Sequence, residues 1–336
     1  MSRETLIVGA GPIGLACAIS ARRRGIDPLV IDAGAVVHSI VGYPIGMTFF
    51  TTPDLLELGG HPLVCSGQKP TREEALKYYR GVARTEKLRV RTYTRLLGVR
   101  STATGPVAWI RDEHGESEVA CDRVVLATGY FHRPRPLGVA GEDLPHVHHY
   151  LDEPHRHWGR SVVVVGGGNS AAEAALELFR AGAGVTLVHR RAEVKRTVKY
   201  WVRPDLQNRI AAGEITAYMD TTVERIERDG VVLRRGDDGS PVRGSGNSSP
   251  RGDAGHVKVA ADRVFVLIGF RPDQDLYRGI GIELDPESGV PELNPETLET
   301  NVPGVHMVGS ITRGFSLSDV FIENGRFDGE KVFGGF

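Results

Sequence analysis

Residues 162–179 read VVVVGGGNSAAEAALELF, and this stretch decides the fold. Four successive valines have no polar alternation, the pattern of a strand covered on both faces. Three glycines then make a turn, and the run that follows is built from good helix formers. Strand, glycine turn and helix together are how a chain cradles a dinucleotide. The first residues repeat the pattern: LIVGAGPIGLACAIS, 6–20, is again a buried strand, a glycine turn and a helix.

The two turns share a spacing and differ in charge. The first is Gly9-x-Gly11-x-x-Gly14 and the second Gly166-x-Gly168-x-x-Ala171. In this pattern the first glycine permits the tight turn, the second lets the backbone approach a pyrophosphate, and the third position keeps helix and strand close. Asp32 lies 23 positions after Gly9, and His189 lies 23 positions after Gly166, followed by Arg190 and Arg191. An acid at that point bonds a free ribose 2′-hydroxyl, whereas a basic cluster accommodates a 2′-phosphate. The first turn is therefore expected to take FAD or NAD, and the second NADPH. A lone glycine turn also serves as an ordinary strand-to-helix connection, so the weight rests on the matched pair.

Composition narrows the class. The chain has 336 residues and a formal charge of -1. That length holds two domains with real cores, and the balance gives no electrostatic reason to expect nucleic acid or an anionic membrane. No apolar run approaches the ~18 residues of a membrane span. The strand LIVGAG begins so near Met1 that no secretory signal fits before it. Cys17, Cys65 and Cys121 form neither a disulfide framework nor a zinc pattern, and no CxxC occurs. The expectation is a cytoplasmic protein with small-molecule substrates.

Further elements follow from local signals. TREEALKYYRGVARTE, 71–86, reads as a helix opened by a Thr71/Glu74 capping box. VAWIRDEHGESEVACD reads as a strand pair around the DEHGE turn, and RVVLATGY, 123–130, as a strand ending in a small-residue turn. The proline-rich segment after it, through the histidine-rich 146–157, is expected to be a connector rather than a metal site. Residues 236–255, poor in apolar side chains, read as a hairpin tip. Ser316 and Asp319 are expected to start a last helix whose N-terminus favours negative charge.

GAGPIG, the ATG of Ala127–Gly129, GGGNSAAEAALE, the HRR of 189–191 and VPGVHMVG resemble the thioredoxin-reductase-like flavoproteins over essentially the whole chain. Within them, SIVGYPIGMTFFTT (39–52), KPTREEALKYYR (69–80), ATGYFHRP, LPHVHHY and VFIENGRFDG (320–329) are similar to bacillithiol disulfide reductases. The resemblance implies an α/β fold of two Rossmann-like domains. The FAD domain, 1–135 and 280–336, would be split around an inserted NADPH domain, 145–275. It implies FAD contacts from Gly9, Gly11, Pro12, Ile13, Gly14, Asp32, Thr48, Phe49, Thr128, Gly129, Gly309, Ser310 and Phe321. NADPH contacts would come from Gly166, Gly168, Asn169, Ser170, Ala171, His189, Arg190, Arg191 and Gly269. It further implies a homodimer that passes hydride from NADPH to flavin and on to a low-molecular-weight disulfide, bacillithiol disulfide first.

Three departures from the family pattern matter. Thioredoxin reductases carry CxxC shortly before the second glycine turn, where this chain has His146, His148 and His149. Bacillithiol reductases commonly place a cysteine after the proline of the first turn, where Ile13 stands here. The Gly-Asp of the third flavin motif is Gly309-Ser310. A ferredoxin or flavodoxin–NADP reductase, a flavin monooxygenase and a non-catalytic redox sensor holding both nucleotides remain open alternatives. Cys17 is the one candidate for a replacement thiol, but Gly14, Cys17, Ala18 and Ala21 form a small-residue face suited to close packing.

Overall fold

The computed structural model describes residues 3–235, 256–316 and 320–334. The chain divides into two units, one of Met1–Arg133 with Arg271–Phe336 and the other of Pro134–Phe270.

In the first unit, strands Arg89–Arg91, Leu29–Ile31, Glu4–Val8, Gly115–Leu126 and Val305–Met307 lie side by side in that order, paired in parallel. Strand Gly115–Leu126 has two uses. Its first half pairs antiparallel with Gly105–Asp112, which pairs in turn with Arg95–Thr102. Its second half runs parallel between Glu4–Val8 and Val305–Met307. Side chains alternate as the pleat requires. Ile7 and Val125 join the core beneath helix Pro12–Arg22, while Leu6, Val8, Val124 and Leu126 face the opposite cluster.

The second unit repeats the plan. Strands Thr216–Tyr218, Gly184–Val188, Ser161–Val165, Arg263–Val266 and Val147–His148 are parallel neighbours in that order. An antiparallel meander, Thr221–Glu227, Gly230–Arg235 and His256–Ala260, is inserted before the fourth strand, as in the first unit. Val162 to Val165 are all buried, Val162 and Val164 in the core cluster that contains the alanines and leucines of helix Asn169–Arg180, Val163 and Val165 in the cluster on the other face. Burying such a side chain is worth roughly 1.5–3 kcal/mol. That accounts for a strand without a polar position.

Helix Arg72–Thr85 opens as expected: the Thr71 N–H donates to Glu74 Oε2 at 2.8 Å, and the Glu74 N–H to Thr71 Oγ1 at 3.3 Å. The C-terminal helix differs from expectation. Ser316 lies outside any helix and Asp319 is outside the described residues, as is the expected hairpin tip 236–255. The helix begins at Ile322, because Asn324 Oδ1 accepts the Phe321 N–H at 2.8 Å, and it breaks into Ile322–Gly325 and Asp328–Phe333. The histidine-rich run is also more than a connector: Val147–His148 is the sheet's edge strand, and His157 is buried with Nε2 2.6 Å from Asp152. No helix among the described residues is long and apolar enough to cross a membrane.

Candidate nucleotide sites

The first glycine turn is built from three distinct constraints. Gly9 sits at φ 111, and a Cβ there would lie 2.3 Å from the Ala127 carbonyl oxygen. A Cβ on Gly14 would lie 1.9 Å from the Gly9 oxygen, so helix and turn close on each other there. Gly11 is different: its φ of -73 suits any residue, and a Cβ would meet nothing within 4 Å. Nothing in the protein requires glycine at Gly11. The open side of the turn leaves room for a ligand group against the backbone, and Gly11 is also the cap of helix Pro12–Arg22, which has no side-chain cap. Uncapped N–H groups of this kind suit an anion. Asp32 completes the cradle, with Oδ2 accepting from the Ala10 N–H and Oδ1 from the Gly34 N–H, each at 2.8 Å.

The second turn copies these features. Gly166, at φ 146, would carry a Cβ 2.4 Å from the Leu267 oxygen and 2.9 Å from the Ala171 methyl. Gly168 caps helix Asn169–Arg180 without a side-chain bond, at φ -98, and a Cβ on it would again meet nothing within 4 Å. Both cradles therefore fit a pyrophosphate by the same criterion.

Where the first turn has a carboxylate, the second has a ring. A Cβ on Gly167 would strike the His189 imidazole at 2.3 Å. His189 is 7% exposed, and its buried Nε2 has no hydrogen-bond partner among the described residues. Burial first, then the neighbouring Arg190 and Arg191 charges, pull its pKa below the ordinary histidine value. The positive charge of this end thus belongs to exposed Arg190 and Arg191, while His189 packs under the turn as a neutral wedge. Lys195 and Arg196, which the sequence reading did not single out, are exposed beside them, and the Lys195 N–H donates to the Gly167 carbonyl at 2.8 Å. Among the described residues, no ion pair involves Arg190, Arg191, Lys195 or Arg196. Asn169 turns its side chain toward this segment: Nδ2 donates to the Thr197 carbonyl at 3.2 Å and Oδ1 accepts the Lys199 N–H at 2.8 Å. Ser170 and Ala171 continue the helix, and Gly269, at φ 103, follows the fourth strand.

The other expected flavin residues fall around the first unit's sheet ends. Thr128 Oγ1 meets the buried Tyr277 hydroxyl at 2.7 Å, and Gly129 takes φ 61. Phe49 is buried, with its N–H on the Pro70 carbonyl, and Thr48 bridges to Thr71. Tyr43 stands edge-on to Phe131 at 4.8 Å and near Phe49 at 6.1 Å, an aromatic group of which the resemblance implied only Phe49. The Gly309 N–H donates to Asp328 Oδ2 at 2.7 Å, so a carboxylate does approach the third motif, from a residue other than Ser310. Phe321 is half exposed at the start of the final helices.

No thiol is poised near these residues. Ile13 stands directly after the proline of the first turn, and Cβ atoms on Gly309 and Gly325 would lie 2.7 and 2.6 Å from its δ-methyl. Cys17 is fully buried, and a Cβ on Gly329 would lie 2.8 Å from its Cα. Burial, with the Asp328 charge second, pushes its pKa far up. That is the packing role, since reactivity needs the thiolate. Burial pushes Cys121 up to about 11, and Cys65 is partly exposed, with its thiol facing the Gly67 carbonyl at 3.1 Å. All three cysteines are free.

Comparison with known proteins agrees with this construction. The profile of the pyridine nucleotide-disulphide oxidoreductases matches residues 6–309. Bacilliredoxin reductase Bdr of Bacillus subtilis is 37% identical over 332 residues, covering 99% of this chain and 97% of its own. The solved structure of bacillithiol disulfide reductase Bdr (YpdA) from Bacillus cereus matches with a TM-score of 0.90 at 33% identity, over 99% of this chain and 98% of that one. A ferredoxin–NADP reductase of Ignicoccus hospitalis is 28% identical over 320 residues, 92% of this chain and 90% of its own.

Proposed function

The chain belongs to the pyridine nucleotide-disulphide oxidoreductase family, and from that premise we propose that it is an FAD-dependent, NADPH-specific reductase of a low-molecular-weight disulfide, with bacillithiol disulfide as the favoured acceptor. The family implies FAD and a pyridine nucleotide. The choice of NADPH is carried by one observation: the first unit closes the strand beside its turn with Asp32, whereas the second has His189 at that position with exposed Arg190 and Arg191 directly after it and Lys195 and Arg196 beside them. When bound, FAD supplies the two-electron chemistry that links a pyridine nucleotide to a disulfide. The overall reaction converts NADPH, a proton and one disulfide into NADP⁺ and two thiols.

The chain's own residues bind and orient. Gly9, Gly11 and Gly14 let the backbone come against the FAD pyrophosphate, with uncapped N–H groups of helix Pro12–Arg22 as donors. Asp32 holds Ala10 and Gly34 and keeps lone pairs free for a ribose hydroxyl. Gly166 and Gly168 repeat this for the nicotinamide dinucleotide, and the exposed arginines take the 2′-phosphate as planar, permanently charged donors. Asp328 secures the Gly309 turn. With Cys17 buried and Ile13 in the usual thiol position, this reading has no protein disulfide relay; the acceptor's sulfur is reduced without a covalent link to the chain.

The relatives' names support the disulfide acceptor, one as a bacilliredoxin reductase and one as a bacillithiol disulfide reductase. The missing thiol at Ile13 also favours a second reading, electron delivery to ferredoxin, in line with the 28% identical relative. Anaerobic NADPH oxidation against bacillithiol disulfide, oxidised bacilliredoxin, other small disulfides and ferredoxin separates them. Turnover with bacillithiol disulfide supports the proposal. Turnover with ferredoxin and none with any disulfide overturns it.

A further inference from the structure

Segment 190–202 carries the exposed positive charges yet contains neither helix nor strand. Something other than backbone periodicity must hold it in place: Val194, Val198 and Val202 bury it in the core of the unit, and polar tethers fix it from the turn and from the helix. At the near end the Lys195 N–H donates to the Gly167 carbonyl, and Asn169 bonds the Thr197 carbonyl and the Lys199 N–H. At the far end the Lys199 ammonium meets the Glu173 carboxylate on helix Asn169–Arg180, one turn beyond Asn169. Lys199 is 7% exposed and also lies 5.8 Å over the Trp201 ring. Its charge is neutralised by Glu173 and shielded from solvent. Holding a buried lysine and carboxylate together is an expensive way to pack a loop, and register is the best-attested use of such a pair.

We propose that the Lys199–Glu173 pair is a positioning device for the 2′-phosphate. It fixes the basic segment against the helix that begins at the glycine turn, and so sets Arg190, Arg191, Lys195 and Arg196 for discrimination without contributing its own charge. The inference rests on the reading of that segment as the 2′-phosphate seat. It adds a specificity determinant outside the glycine turn and the arginines.

The test is direct binding to the FAD-loaded protein of two probes that differ by one phosphate, adenosine 2′,5′-bisphosphate and adenosine 5′-monophosphate, measured by calorimetry. The double variant Lys199→Met/Glu173→Leu removes both charges and leaves neither buried alone. It is expected to weaken the bisphosphate about tenfold and the monophosphate by less than twofold. Adding Arg190→Ala and Arg191→Ala to it should weaken the bisphosphate by a smaller factor than the same two changes do in the parent, because the groups act as one unit. Unchanged preference in the folded double variant, or equal weakening of both probes, overturns the positioning role. Lys199→Gln/Glu173→Ala, which likewise removes both charges and lies outside the residues given to the nucleotide, is read the same way if the first double variant does not fold. Should Arg190→Ala/Arg191→Ala alone leave the preference intact, the 2′-phosphate seat itself is wrong. If that variant loses the preference and the tether variants keep it, the seat stands and the positioning role falls.

Discussion

Asp32 and His189 stand at the same place in two copies of one plan and act on the glycine turn in opposite ways. Each follows the strand next to the turn, and each donates its N–H to the neighbouring strand end, Asp32 to the Arg91 carbonyl at 3.1 Å and His189 to the Tyr218 carbonyl at 2.9 Å. The Asp32 carboxylate then accepts the Ala10 N–H at 2.8 Å, whereas the His189 ring occupies the space a Gly167 side chain would need. One unit anchors its turn with a charge and the other with a neutral ring, which leaves the second unit's positive charge on residues that project into solvent.

Asp32→Ala removes two hydrogen bonds to a charged acceptor, each worth roughly 1.5–3 kcal/mol in a native fold. Much of that is returned by water at this half-exposed position. The expected result is protein purified with substoichiometric flavin and FAD affinity lowered by about tenfold to a hundredfold. Asp32→Asn, which keeps one acceptor, should fall between. Flavin absorbance per chain after gel filtration measures both.

The glycines of the first turn separate folding from binding. Gly9→Ala forces a side chain into φ 111 and into the Ala127 carbonyl, so it should lower Tm or prevent soluble expression. Gly11→Ala meets nothing in the protein, and its apo form should melt within about 1 °C of the parent. FAD binding by Gly11→Ala should nonetheless weaken at least about tenfold, since the methyl enters the space of the pyrophosphate. A Gly11→Ala protein that binds FAD normally would remove the fit argument for the cradle.

Arg190→Ala and Arg191→Ala should each raise KM for NADPH by about tenfold, the effect of roughly 1.4 kcal/mol, and leave KM for NADH nearly unchanged. Because both side chains are exposed, the NADPH advantage of the parent should also shrink as ionic strength rises. Steady-state kinetics with both nucleotides at low and high salt show the split.

Cys17→Ala tests whether the one cysteine on the first helix takes part in turnover. A residue with no exposure, packed against Gly329, should be replaceable at a stability loss of about 1–2 kcal/mol with kcat within twofold. Thiol-alkylating reagents should leave the native parent active, modifying Cys65 ahead of the two buried cysteines. A large fall in kcat without loss of flavin would instead bring Cys17 into the chemistry.

Much of this was readable beforehand, and the boundary has physical causes. The repeated strand–turn–helix, the strand pair around Glu113 and His114 and the Thr71/Glu74 cap follow from local periodicity and turn chemistry, which a linear sequence displays. The contacts that finish the sites do not. Thr128 and Tyr277 are 149 positions apart, and Asp328 reaches Gly309 over 19. Lys195, Arg196 and Lys199 lie in a segment without helix or strand, and nothing in their own spacing marks them beside the HRR triplet. The two-residue edge strand Val147–His148 is too short to show alternation, and His157 gains its burial from Phe265, far along the chain, whose ring it meets edge-on at 5.2 Å.

Acid should destabilise the protein through histidines held neutral. Burial is the leading cause that lowers the pKa of His132, His148, His189 and His306 below the ordinary value. A folded-state pKa below the unfolded one means that the unfolded chain binds more protons, so stability rises with pH across the interval between them. Their full contribution is present above about pH 6.5, the unfolded value, and is lost as pH falls from there through the folded values. Each can remove at most about 1.4 kcal/mol per pH unit in that window. A second loss belongs to Glu74, whose carboxyl is lowered to about 2 by hydrogen bonds from Thr71 and Ser66; this stability is present above the usual carboxylate range and disappears as pH falls toward 2. Tm should therefore be flat near neutrality and begin to drop below about pH 6.5, before the carboxylates titrate. His189→Gln, read in the apo protein, should make that first drop shallower. A Tm that stays level from pH 7 to pH 5 would show that these imidazoles take up protons as freely in the folded chain as in the unfolded one.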